Sequence, residues 1–233
     1  MIETIFDESR ERAEEIAAQK IASEIFHLSK RQDKIILGLC GGTSVPGIYR
    51  KLAAQEIPWR DVHFFLIDDR LVALEHPDSN FLLAKKNLLQ SLLSQGKITE
   101  QQIHPFVFEP KRPDVSLIAY MDSLKDNGGI FDIIIASSGE DGHIGALFPN
   151  HHSVLSEAGF FILMDDCPKE PAMRLTASRR LLLQSKAGFI VFFGAEKKQA
   201  YQDFKDEKIS IGQCPAKIVS ELPKCFVVTD INA

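Results

Sequence analysis

The stretch Phe131-Asp132-Ile133-Ile134-Ile135-Ala136-Ser137-Ser138-Gly139-Glu140-Asp141-Gly142-His143 constrains the fold more than any other part of the chain. An apolar, largely β-branched run, broken once by Asp132, suits a strand buried on both faces of a parallel sheet, and such a strand is central. Directly after it the composition changes to Ser, Gly, Glu, Asp and His. The carboxyl end of a core strand therefore opens into a tight polar loop, where open α/β sheets place their ligands. Gly142 permits a sharp turn or a positive φ, and sets Asp141 and His143 on either side of it. A carboxylate beside an imidazole fixes the tautomer and raises the basicity of a group that titrates near neutral pH. On this motif alone, a His143 that caps a helix or satisfies a loop carbonyl fits as well.

Similar strand-to-loop transitions recur along the chain. Lys34 to Leu39 reads as a buried strand followed by Cys40-Gly41-Gly42-Thr43-Ser44 and a helix from Pro46 to Ala54. That arrangement aims backbone N–H groups of Gly42, Thr43 and Ser44, and a helix dipole, at a phosphate. The glycine spacing fits neither the dinucleotide fingerprint nor a Walker loop, so a plain tight turn stays open. Val62 to Ile67 is a third core strand and ends in Asp68-Asp69-Arg70, read as a charged loop. Charge at the end of a buried strand is costly unless paired or used. Arg70 suits a phosphate or carboxylate, and Asp68 suits sugar hydroxyls or proton transfer. Ala187 to Phe193 is a further buried strand, and Lys197 follows it in the first turn of the next helix, within reach of a cleft.

Between these lie an amphipathic helix over Ser9 to Ser29, a helix over Phe81 to Leu93 capped near Ser79, a helix to Lys125 capped by Asp114, and strands at Gly159 to Leu163, Arg174 to Ser178 and Cys225 to Asp230. Alternating strands and helices imply one α/β domain over residues 1–233: a doubly wound, mostly parallel sheet with helices on both faces, modified Rossmann-like. The polar motifs then gather at one edge of the sheet.

Composition narrows the function classes. A formal net charge of −5 and a pI near 5.8 speak against a nucleic-acid binder. No apolar run approaches the roughly 20 residues of a membrane helix, and the N-terminus carries no apolar signal region. Four cysteines without Cys-x-x-Cys spacing point to reduced thiols in the cytoplasm. His151 and His152 lie close to His143 in sequence, but their spacing matches no standard zinc pattern and no metal is expected.

Taken together, Gly41-Gly42, Asp68-Asp69-Arg70 with Ser79-Asn80, Gly139-Glu140-Asp141-Gly142-His143 with Leu147-Phe148-Pro149, Arg174-Leu175-Thr176 and Gly194-Ala195-Glu196-Lys197 resemble the 6-phosphogluconolactonase family. That family belongs to a larger group of sugar-phosphate proteins that includes glucosamine-6-phosphate deaminase. The resemblance implies hydrolysis of 6-phospho-D-glucono-1,5-lactone, with His143 as general base, Asp141 orienting it, Asp68 at the sugar hydroxyls or the water, and Arg70, Arg174 and Lys197 as candidate grips for the phosphate. It implies no cofactor, a small sugar-phosphate partner, and a monomer or small homo-oligomer. The deaminase branch typically carries Asn-Glu-Pro where this chain has Leu147-Phe148-Pro149, which makes deamination the alternative, beside a non-catalytic sugar-phosphate sensor. Departures from the family pattern fall at Asp69, Ser44-Val45, Ser137-Ser138, Arg180 and Leu183, and leave the cationic and proton-transfer residues in place.

Overall fold

The computed structural model describes residues 2–232; Met1 and Ala233, the two ends of the expected domain, lie outside the described residues. Among the described residues the strands are β1 (Ile2–Phe6), β2 (Ile35–Leu39), β3 (Val62–Leu66), β4 (Asp68–Arg70), β5 (Ile103–His104), β6 (Ile133–Ser137), β7 (Phe161–Met164), β8 (Arg174–Ala177), β9 (Ala187–Phe192) and β10 (Lys224–Thr229). Seven of them form a sheet in the order β1-β10-β9-β6-β2-β3-β5, parallel throughout. The strand β6 is its middle member, as its apolar run predicts.

Both β2 and β9 are buried at every position. Successive side chains of a strand point to opposite faces, so burial of every residue means that both faces are covered. The acid that interrupts the central run is paired: Asp132 accepts from the Ile36 N–H at 2.7 Å and meets Lys186 at 2.7 Å. The first helix, Arg10–Ser29, is capped by Ser9 and buries Ala13, Ala17, Ile21 and Ile25. Its small buried alanines allow close approach to the helix Pro46–Ala53 and to the sheet.

Chain order through the sheet reverses between β2 and β6. From β2 the chain proceeds outward to β3 and β5, and from β6 it proceeds the other way to β9 and β10. Such a reversal leaves a crevice at the carboxyl ends of the two strands. The Gly41-Gly42 loop and the His143 loop leave those two ends, which is why they face one another.

The sequence reading differs from the structure at several places. Asp68-Asp69-Arg70 is a strand, not a loop: the chain leaves the main sheet at Ile67 and enters a second, antiparallel sheet of order β4-β8-β7. Strands β1 and β5, both at sheet edges, carry no apolar run to read: β1 is exposed at four of its five positions and β5 is two residues long. Asp114 is in the first turn of the helix Pro113–Asp126, whose cap position is Arg112. The helix after Ser79 runs as Asn80–Ala84 and Gln90–Ser94 with a π-helical turn at Lys85–Leu89 between them.

Candidate active site

The loop after β6 closes on itself. The Gly139 N–H donates to the His143 carbonyl at 2.8 Å and the Gly142 N–H to the Gly139 carbonyl at 3.1 Å. Gly142 has φ +85°, which an L side chain rarely adopts. A Cβ on Gly139 would sit 2.0 Å from His143 Nδ1 and 2.6 Å from Asp141 Oδ1, so only glycine leaves room for the pair beside it.

His143 Nδ1 meets Asp141 Oδ1 at 2.5 Å, and the His143 N–H donates to the same oxygen at 3.3 Å. Lys169 Nζ lies 3.4 Å from Asp141 Oδ2. Burial by itself would raise the Asp141 carboxyl; the hydrogen bond and charge of His143, with Lys169, overcome it and hold the group well below the usual carboxylate range. With Nδ1 engaged, Nε2 is the nitrogen left for proton transfer. The His143 ring also packs against Phe148, with centroids 4.6 Å apart.

The antiparallel pairing of β4 with β8 sorts the neighbouring charges. Arg70 lies opposite Arg174, and Asp68 opposite Thr176. Opposed residues of an antiparallel pair share a face, and the strand period of two sends Asp69 to the other side. Asp68, Arg70 and Arg174 accordingly line one cleft of about 230 Å³, together with His143, Lys169 and Lys197. Asp69 instead caps the next helix, accepting from the N–H groups of Asn80 at 2.7 Å and Phe81 at 3.1 Å. Burial pushes its carboxyl up to about 6, against those hydrogen bonds.

Asp68 is buried, and burial raises its carboxyl against the pull of Arg70, Arg174 and His143. Asn80 Nδ2 donates to Asp68 Oδ2 and to its carbonyl, both at 3.0 Å, and locks the side chain. Arg70 Nη1 donates to the Asp78 carbonyl at 2.6 Å while its buried Nε has no partner. Arg174 donates through Nε to Pro171 O at 2.9 Å and through Nη2 to Lys169 O at 3.0 Å, so it holds the loop 165–173 as well as lining the cleft. Lys197 follows β9 as expected, and burial lowers its ammonium against the pull of Glu140.

Across the crevice, Gly41, Gly42 and Thr43 line the cleft, with Gly42 at φ +95°. Ser44 is buried beneath the loop and does not line the cleft. Tyr49 brackets the loop's start, donating to the Cys40 carbonyl at 2.7 Å and accepting from its N–H at 3.1 Å. Arg10 of the first helix donates to the Thr43 carbonyl at 2.6 Å. Cys40 borders the cleft, but burial and Asp68 push its thiol far above its ordinary value, which leaves it a poor nucleophile.

Sequence reasoning named His143, Asp68, Arg70, Arg174, Lys197, Gly42 and Thr43, and all of them meet at this cleft. It missed Lys169 and gave no role to Asn80 or Arg10. Arg180, one of the departures from the family pattern, donates to the Glu157 carbonyl at 3.1 Å and is outside the cleft.

A parallel α/β sheet with a hydrogen-bonded His–Asp pair and four cations around one switch-point cleft is an arrangement suited to a small anionic ligand. Residues 8–227 match the family model described as glucosamine-6-phosphate isomerases/6-phosphogluconolactonase, and the chain belongs to that family. It is 32% identical over 210 residues to the 6-phosphogluconolactonase of Borreliella burgdorferi, covering 90% of this chain and 89% of that one. The Thermotoga maritima 6-phosphogluconolactonase is 30% identical over 183 residues, covering 78% and 80%. The crystal structure from that organism superposes with a TM-score of 0.84 at 25% identity, covering 98% of this chain and 99% of that one. A monomeric glucosamine-6-phosphate deaminase shares the fold, with a TM-score of 0.80 at 18% identity over 97% and 96% of the two chains.

Proposed function

We propose that the protein hydrolyses 6-phospho-D-glucono-1,5-lactone to 6-phospho-D-gluconate, the lactone-opening step of the oxidative pentose phosphate pathway. The observation that carries this reading is His143, held through Nδ1 by Asp141 in a cleft that also presents Arg70, Lys169, Arg174 and Lys197. Nε2 takes a proton from a water as the water oxygen attacks the lactone carbonyl. The tetrahedral intermediate then expels the ring oxygen, which recovers the proton from the imidazolium. A lactone is an activated ester, so a placed base and a fixed substrate suffice. Arg70 and Lys197, with the N–H groups of Gly42 and Thr43, are the groups for the phosphate; Arg174 braces their neighbouring loop and adds its charge. Asp68 is the acceptor for a sugar hydroxyl or the attacking water.

Phe148 bears on the alternative chemistry. Ring opening of an amino sugar calls for a carboxylate working with the histidine, and an apolar ring packs at a tilt on His143 where the deaminase pattern would place that acid. The match over residues 8–227 supports one domain of this kind. Four buried free thiols fit a reducing cytoplasm, and no described helix is long and apolar enough to cross a membrane.

The purified protein is expected to open freshly generated phosphogluconolactone well above the spontaneous rate and to release no ammonia from glucosamine 6-phosphate. Ammonia release would favour the isomerase branch. Tight binding of sugar phosphates with no turnover of either substrate would favour a sensor.

A further inference from the structure

One cluster of metal-type side chains lies outside the machinery described above. His151, His152 and Asp166 bring one ligand atom each to within 4.8 Å of one another. Asp166 Oδ2 is 2.8 Å from His152 Nε2 and 3.6 Å from His151 Nε2. A tetrahedral cation with bonds of about 2.1 Å separates its ligand atoms by about 3.4 Å, so the 3.6 Å edge already matches a coordination polyhedron, and the 2.8 Å edge is a hydrogen bond that opens by about 0.6 Å on loading. Local sequence does not reveal the set, because the aspartate is contributed from 14 residues away, beyond β7.

We propose that His151, His152 and Asp166 form a binding site for one divalent transition cation of the zinc, cobalt or nickel kind. Two imidazoles and one carboxylate favour these borderline ions over magnesium or calcium, which prefer all-oxygen shells. His151 is positioned for the role: its other ring nitrogen, Nδ1, lies 3.0 Å from Ser153 Oγ, the outer hydrogen bond that orients a ligating histidine. Loading selects the tautomer in which Nδ1 donates to that oxygen, at the cost of the longer contact from the Ser153 N–H at 3.3 Å. His152 and Asp166 are 65% and 52% exposed at their side chains, so the ion reaches the site from solvent, replaces the hydrogen bond between His152 Nε2 and Asp166 Oδ2, and completes its shell with water.

The location gives the ion a consequence. Asp166 is the second residue of the loop 165–173, which carries Lys169 to Asp141 and whose carbonyls receive Arg174. His151 and His152 begin the short helix after Phe148, the ring that separates His151 from His143. A bound cation therefore pins the Lys169 loop to the corner behind the general base. The site is structural, and its existence does not depend on which reaction the cleft performs.

Titration of tag-free protein with Co²⁺, followed by its visible absorption, and with Zn²⁺ by calorimetry, tests the assignment. The expected result is one equivalent bound, with His152→Ala and Asp166→Asn each weakening affinity at least about tenfold and His143→Ala leaving it unchanged. Zn²⁺ is also expected to raise the melting temperature of the wild type and not of Asp166→Asn, whose exposed substitution leaves the metal-free fold intact. No binding by the wild type, binding that survives both substitutions, or binding lost only with His143→Ala would each overturn the proposal.

Discussion

Asp68, Asp69 and Arg70 are adjacent in sequence and perform separate tasks because they lie on a strand. Asp68 and Arg70 face the cleft, while Asp69 faces the next helix and caps it. The departure from the family pattern at Asp69 thus lands on a capping residue outside the cleft. Arg70 has its guanidinium steered by the Asp78 carbonyl, with Nε unpartnered in a buried position, an arrangement that suits an incoming anion. A hydrogen bond to a charged group is worth about 1.5–3 kcal/mol. Arg70→Ala is therefore expected to raise KM for the phosphorylated lactone by roughly ten- to a hundredfold, and to leave hydrolysis of unphosphorylated gluconolactone nearly unchanged. Steady-state kinetics on the two lactones reads the difference, and an equal loss on both would assign Arg70 to the chemistry in place of the phosphate.

The edge strand β5 shows what one element's stability rests on. It is two residues long, and its pairing with β3 is supported by His104 stacking on Phe65 at 4.2 Å, with His104 Nε2 3.0 Å from His63 Nδ1. Burial lowers His104 to about 4, aided by His63 and Lys34, and burial lowers His63 as well. Since the folded-state values lie below the unfolded value near 6.5, the unfolded chain binds more protons through this window, and stability is full above it and lost as pH falls through it. Asp69, raised to about 6, acts in the opposite sense between about pH 4 and 6, so the informative quantity is a difference between two proteins. Urea unfolding of wild type and His104→Asn at about pH 7 and about pH 4.5 is expected to show the variant gaining on the wild type at the lower pH. A gap independent of pH would separate these histidines from acid stability. Neither the strand nor the histidine pair was legible in sequence, because Ile103-His104 carries too little pattern to read and its partner His63 is remote. By contrast, β2, β6 and β9 were legible, since burial on both faces writes itself as an unbroken apolar run.

At the scale of the molecule, the cleft is a consequence of topology. The segments that leave β2, β3, β6 and β9 converge because the order β1-β10-β9-β6-β2-β3-β5 reverses at β2 and β6, and the second sheet sets Arg70 against Arg174 over that reversal. The residues that follow core strands could be read from the chain for this reason, among them Gly42, Asp68, His143 and Lys197. Lys169 could not: it sits in the loop 165–173, whose place over Asp141 is fixed by Arg174 and by no local pattern. Arg10 was hidden in the same way, as one charge among many on a solvated helix until the fold puts it on the Thr43 carbonyl. The chemistry proposed for this cleft depends on one imidazole, and the most direct measurement is the turnover of phosphogluconolactone by wild type and His143→Ala, corrected for spontaneous opening. General-base assistance is worth a factor of about 10² to 10⁴, and a loss of that size is expected in a variant that keeps its melting temperature and its affinity for 6-phosphogluconate. Undiminished turnover in a folded His143→Ala protein would contradict the assignment of His143 as the base.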